Sequence, residues 1–179
     1  MAAGRRHHFQ RTPDLHPAAL DENNLMAHCQ TRRERRSGPG GQHRNKVETA
    51  IVITHIASGI KGEASERRSQ AQNRQKALHR LRVNLALRIR LPVQEEIPSG
   101  VWQQHTQSGK IVVNRDHRNF PTLLAEALDV LEAETMDARS VSERLGCTPS
   151  QLVKLLQSEP RAILQVNQQR QAAGLHALR

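Results

Sequence analysis

Residues 37–46 read Ser-Gly-Pro-Gly-Gly-Gln-His-Arg-Asn-Lys, three glycines and a proline in four consecutive positions with Gln42 directly after them. Glycine reaches backbone conformations that a side chain forbids and lets the main chain approach another surface closely, which is what Gly40 and Gly41 would supply here. Arg32, Arg33, Arg35 and Arg36 precede the glycines, and Arg44 and Lys46 follow them. A permissive loop that displays one amide side chain inside a cationic collar is suited to work against nucleic acid. A phosphate-cradling P-loop is excluded, because no Gly-Lys-Ser/Thr follows the glycines. The histidines, His7-His8 included, show no i, i+4 or cysteine-paired spacing, and Cys29 and Cys147 stand far apart, so neither a metal site nor another cofactor is expected.

Charge agrees with the loop. The chain of 179 residues carries a formal charge of +10 and a pI near 11.1, which favours a polyanionic partner, nucleic acid first. Residues 1–113 hold 19 Lys/Arg against 9 Asp/Glu, whereas residues 114–179 hold 8 of each, so the basic work belongs to the first two-thirds. Aromatic content of 2% with no tyrosine argues against a base-stacking platform. The polar, basic start has no signal-peptide core, no run approaches the ~20 apolar residues of a membrane helix, and two lone thiols read as reduced. The expectation is a cytoplasmic, monomeric protein with no membrane partner.

The elements that hold the loop follow from periodicity. Asp21 caps a short helix with Leu25 and Met26 as its apolar contacts, and residues 28–36 run extended into the glycines. Residues 49–56, β-branched almost throughout, predict a central strand, and Ser58-Gly59 turns into a second strand over 60–64. Ser65 is placed to cap a long helix from Glu66 to about Arg90, with Leu78, Leu81, Leu85 and Ile89 toward the sheet and Leu91-Pro92 as its stop. Its arginines and lysine, from Arg67 and Arg68 to Arg82, then line the other faces. Beyond Trp102 and a short strand near 110–114, Phe120, Leu123, Leu124, Ala127, Leu128 and Leu131 form a helical stripe begun by Pro121. A helix over 140–145, Gly146, a helix capped by Thr148, and a last helix from Ser158-Pro160 complete the chain. The fold class expected is α+β, a small sheet with a long packed helix, followed by an α-helical C-terminal module. The boundaries are a flexible N-terminus over 1–17, a catalytic domain over 18–91, a linker that can add a short strand over 92–113, and the helical module over 114–179.

Residues 37–46, Thr49-Ala50, His55-Ile56, Ser58-Gly59, Arg68-Ser69-Gln70, Asn73 and Ala77-Leu78 together resemble the catalytic domain of class I peptide chain release factors, over roughly residues 20–90. The resemblance implies ribosome-dependent hydrolysis of the ester that joins a finished peptide to tRNA. It assigns catalysis to Gly40, Gly41 and Gln42. The Gln42 main-chain N–H would stabilise charge at the reacting ester, and its side chain would admit water while excluding larger nucleophiles. Ribosomal RNA and the terminal ribose would supply the rest, so no triad or carboxylate pair is needed. Arg32, Arg33, Arg35, Arg36, Arg44, Lys46, Arg67 and Arg68 become candidates for rRNA and tRNA contact. The implied partners are the ribosome, at its peptidyl transferase centre, peptidyl-tRNA, and a glutamine methyltransferase acting on Gln42. His43 receives no catalytic role, because the position after the motif glutamine varies in the family. His55 is read as a strand residue bonded within the fold.

Two departures matter. Ala57 stands where the family usually has proline, and neither Pro-x-Thr nor Ser-Pro-Phe, the stop-codon tripeptides, occurs in the sequence. The expectation is therefore codon-independent action on stalled ribosomes. A non-catalytic ribosome- or rRNA-binding protein, and a DNA-binding regulator reading through residues 138–157, remain the alternatives.

Overall fold

The computed structural model describes residues 15–34, 50–93 and 96–179, so most of the expected N-terminal segment 1–17 and all of the glycine loop lie outside the described residues. A short 3-10 helix, Pro17–Ala19, leads to α1 (Glu22–Ala27), whose N-cap Asp21 accepts from the Asn24 N–H at 3.0 Å. Then come β1 (Cys29–Glu34), β2 (Ala50–His55) and β3 (Lys61–Ala64). They form an antiparallel sheet in the order β1-β2-β3, with β2 central as its β-branched run requires.

Helix α2 (Gln70–Arg88) crosses this sheet and packs on β2 and β3, with Leu78, Leu81 and Leu85 buried in the common core. It is shorter at both ends than the sequence predicts. Ser69, not Ser65, is the N-cap, accepting from the Gln72 N–H, because residues 65–69 are held in a turn. The Asn73 amide takes the Arg67 N–H at 2.9 Å and donates to the Arg67 carbonyl at 2.8 Å, closing that turn against the helix. At the other end Ile89 is extended (φ −103°, ψ 139°), and the Arg90 guanidinium donates to the free carbonyls of Ala86 and Leu87. Pro92 lacks an N–H for the Arg88 carbonyl and disfavours helix at Leu91, so it bars continuation beyond this stop.

Gly62 brings strand and helix together. A Cβ there would lie 2.1 Å from the Ala77 carbonyl oxygen and 2.3 Å from the Leu81 nitrogen, so only glycine fits.

Residues 92–113 contain α3 (Gly100–Gln104) and a two-stranded ribbon of β4 (Thr106–Gln107) and β5 (Lys110–Ile111). Trp102 is fully buried and its indole N–H donates to the Leu145 carbonyl at 2.8 Å. Then α4 (Phe120–Ala133), α5 (Ala138–Arg144), α6 (Pro149–Gln157) and α7 (Pro160–Ala172) follow. Helix α4 lays its predicted stripe, buried from Phe120 to Leu131, against α2, and one continuous apolar core runs from Leu25 and Ile53 through Leu85 and Leu124 to Val166. The result is α+β with a helical C-terminal part. No described helix is long and apolar enough to cross a membrane.

Candidate functional site

The register of the sheet fixes where the glycine loop is rooted. Glu34, the last residue of β1, pairs with Ala50, the first of β2, so residues 35–49 join adjacent ends of one antiparallel pair. Ile51 pairs in turn with Ala64, the last residue of β3. The end of β3, the turn 65–69 and the N-terminus of α2 therefore lie at the same end of the sheet as the roots of the loop. Adjacent strands stand about 4.8 Å apart, which puts Arg33, Ile51 and Ala64 in one row about 10 Å wide.

Gly40, Gly41 and Gln42, together with Arg35, Arg36, His43, Arg44 and Lys46, lie outside the described residues. The four described candidates fall into two pairs. Arg32 and Arg33 occupy β1 opposite Val52 and Ile51 and are exposed, although adjacent strand residues point to opposite faces. Among the described residues α2 packs on β2 and β3, and residues 30–33 of β1 are exposed. Arginine on such an edge also discourages pairing with another strand. Arg67 and Arg68 are exposed in the turn before α2, with the Arg67 main chain locked by Asn73, which is fully buried.

Glu66 organises the cations beside them. It accepts from Lys76 at 3.2 Å and from Arg80 at 2.6 Å, and Arg80 also donates to the Glu63 carbonyl at 2.7 Å. Desolvation raises the Glu66 pKa, but hydrogen bonds from its own N–H and that of Ser65, with Lys76 and Arg80, outweigh this and hold it at about 2.

His55 belongs elsewhere. It ends β2 opposite Cys29, five steps or about 17 Å along the strand from the loop's root at Ala50. It is buried, with Nδ1 2.8 Å from the Ser58 hydroxyl, and desolvation, then the nearby His28, lowers its pKa. It pins the β2–β3 turn. Among the described residues no group of three His, Cys, Asp or Glu is placed to hold a metal ion.

Sequence reasoning missed two anchoring groups. Arg82, expected on a face of α2 turned from the sheet, donates to the carbonyls of Ala18 at 2.9 Å and Arg118 at 3.0 Å. Glu159 is a buried carboxylate between Arg115 at 2.9 Å and Arg161 at 2.6 Å, and Arg161 reaches Asn84 of α2 at 2.8 Å. The partners of Arg82 come from distant sequence, and Glu159 joins the local Arg161, as N-cap of α7, to the distant Arg115. Gly62 was detectable as a glycine inside a short strand.

Residues 26–99 match the family model described as RF-1 domain. The chain carries a class I release-factor-like catalytic domain. Peptide chain release factor 1 of Chloroherpeton thalassium is 34% identical over 125 residues, 70% of this chain and 30% of that protein. The Chlorobaculum tepidum protein of the same name is 32% identical with the same coverage. Peptide chain release factor 2 of Lactiplantibacillus plantarum is 41% identical over 87 residues, 47% of this chain and 23% of that protein. The chain spans less than a third of the length of these curated relatives. No solved structure matches it. The release-factor-like domain contains β1, β2, β3 and α2, the elements that root the glycine loop.

Proposed function

We propose that this protein hydrolyses the ester of peptidyl-tRNA on the ribosome, acting without reading a codon. The observation that carries the reading is the match of residues 26–99 to the RF-1 domain, with Gly40-Gly41-Gln42 in the segment that joins β1 to β2. Water attacks the ester carbonyl, the Gln42 main-chain N–H stabilises the oxyanion, and the bond to the terminal ribose breaks as its oxygen takes a proton. One preorganised donor of this kind is worth about 100-fold or more in rate. The cations rooted at the same end of the sheet, Arg32, Arg33, Arg67 and Arg68, contact rRNA or tRNA phosphates in this reading, as do Arg35, Arg36, Arg44 and Lys46 around the loop. The protein works as a cytoplasmic monomer whose catalytic domain spans 18–91, and a glutamine methyltransferase modifies Gln42.

Codon independence is supported by the lack of either stop-codon tripeptide in these residues. The DNA-reading alternative is not favoured. Residues 114–179 carry 8 Lys/Arg against 8 Asp/Glu, and α6 offers only Gln151, Lys154 and Gln157 as long polar side chains for a DNA groove.

The test is peptide release from purified ribosomes carrying peptidyl-tRNA, programmed either with a stop codon or with mRNA truncated at the A site. Release from the truncated complex, without dependence on a stop codon, and its loss by about 100-fold in Gly41→Ala, is the expected result. Release from neither complex would refute the enzymatic reading and leave a binding role.

A further inference from the structure

Outside the glycine-loop site, an apolar concavity lies where the strap after α2 meets the first half of α4. It has a cavity volume of about 190 Å³, larger than the roughly 150 Å³ that suffices for an apolar cavity to take up benzene. Leu15, Leu91, Val93, Ile97, Val101 and Val130 supply apolar wall. The ionisable groups among its lining residues are Glu96, Glu126, Asp129 and His16, and among the described residues no lysine or arginine lines it. In a chain of formal charge +10 this is an acid-lipped apolar cleft. An apolar cavity with a few convergent polar groups is the usual form of a small-molecule site.

The polar groups are fixed in place. Glu126 accepts from the Ser99 N–H at 2.7 Å and the Ser99 hydroxyl at 2.6 Å, which ties α4 to the cap of α3. Asp129 accepts from the Leu91 N–H at 3.2 Å. His16 takes the Ala18 N–H on Nδ1 at 3.0 Å and places Nε2 3.3 Å from the Ile89 carbonyl, the arrangement of a neutral ring. Burial holds its pKa at about 4, so it adds no positive charge near neutral pH.

We infer that this cleft binds a small organic cation, an aromatic or branched hydrocarbon group bearing one ammonium, with the hydrocarbon in the cavity and the ammonium toward Asp129 and Glu126. Charge complementarity selects this occupant. A neutral hydrocarbon would gain nothing from the carboxylates beyond the bonds they already make, and an anion would meet like charge. The groups facing Asp129 are Arg90 at 4.0 Å and the Leu91 N–H from the end of α2, Glu126 and Glu132 on its own helix, and neutral His16 across the cleft. Burial raises the Asp129 pKa to about 6, so the site gains negative charge between pH 5 and 7.5. This inference is independent of the proposed hydrolysis.

Three probes of one shape, benzylamine, benzyl alcohol and phenylacetate, are titrated into the isotope-labelled full chain, with the amide signals of Val101, Ala125 and Val130 as readout. Saturable shifts at these amides are expected for benzylamine, weaker for the alcohol and absent for the acid. Asp129→Asn, which keeps an acceptor for the Leu91 N–H, weakens benzylamine about fivefold or more and leaves the alcohol unchanged. Benzylamine stays protonated between pH 5 and 7.5, and its affinity rises across that range. Phenylacetate binding as tightly as benzylamine, or no saturable shift from benzylamine at millimolar concentration, overturns the inference. The wild-type comparison decides even if the variant fails to fold.

Discussion

Replacing Gly62 by alanine tests the central packing of the release-factor-like domain, because the contact lies between two backbones. The new Cβ would sit 2.1 Å from the Ala77 carbonyl oxygen, 2.3 Å from the Leu81 nitrogen and 2.7 Å from the Leu81 Cα. No side chain can rotate away. Strand β3 must lift from α2 by about 1 Å to restore ordinary contact, and a gap of that size forfeits a quarter to a half of each contact's attraction. The side chains nearest the gap are Ala64, Ala77 and Leu81, all buried. Overpacking usually costs about 1–3 kcal/mol, and rigid atoms on both sides put this site at about 3 kcal/mol or above. For a chain of this size that lowers the thermal midpoint by about 6–12 °C. Gly100→Ala is the control, since a Cβ there meets nothing within 4 Å, and its midpoint should move by only a degree or two. Both are read by far-ultraviolet circular dichroism on heating. If Gly62→Ala melts with Gly100→Ala, the close approach of β3 to α2 is wrong.

Asn73→Ala removes both hydrogen bonds to the Arg67 main chain, and at about 1 kcal/mol each should cost about 2 kcal/mol and speed amide exchange at Arg67. The depressed Glu66 pKa means stability that is present above the unfolded value of about 4.5 and lost as pH falls toward about 2. Glu66→Gln should therefore flatten acid unfolding between pH 5 and 2, measured by fluorescence of Trp102. Glu159→Gln leaves Arg115 and Arg161 without their anion and should cost about 2 kcal/mol in urea unfolding, with Arg161→Met costing no more.

Much of the sheet and helix order was legible because it rests on local pattern. Residues 51–54 are β-branched and central, Asp21 and Thr148 cap helices, and the stripe from Phe120 to Leu131 is buried as a 3.6-residue period requires. The ends of α2 were misjudged because side-chain hydrogen bonds to the backbone set them. Asn73 folds back on Arg67, and Arg90 takes the last carbonyls, both competing with helical continuation in ways that propensity does not encode. The candidate site was legible as a motif and not as a surface. Strand pairing, which the motif alone does not reveal, brings the turn before α2 to the root of the loop.

Helix α2 is the element through which the rest of the chain can bear on that root. It touches β2 and β3 on one side and α4 on another, and its polar side chains reach in both directions. Asn84 donates to the Lys61 carbonyl of β3 at 2.6 Å and accepts from Arg161 of α7 at 2.8 Å. Arg82 reaches Ala18, Arg118 and the Thr122 hydroxyl, closing the 3-10 helix and the start of α4 onto the same helix. Any load on the C-terminal helices is thus carried to the sheet by fixed bonds rather than by a loose tether. Arg82→Met keeps the apolar stem and removes the three donors, so it isolates this coupling. It should cost about 2–3 kcal/mol and raise amide exchange at 18–20 and 118–123 while the β1–β2 pairing stays protected. Exchange rising equally along β2 would mean that the two sides unfold as one unit and that Arg82 holds the whole chain, not the junction.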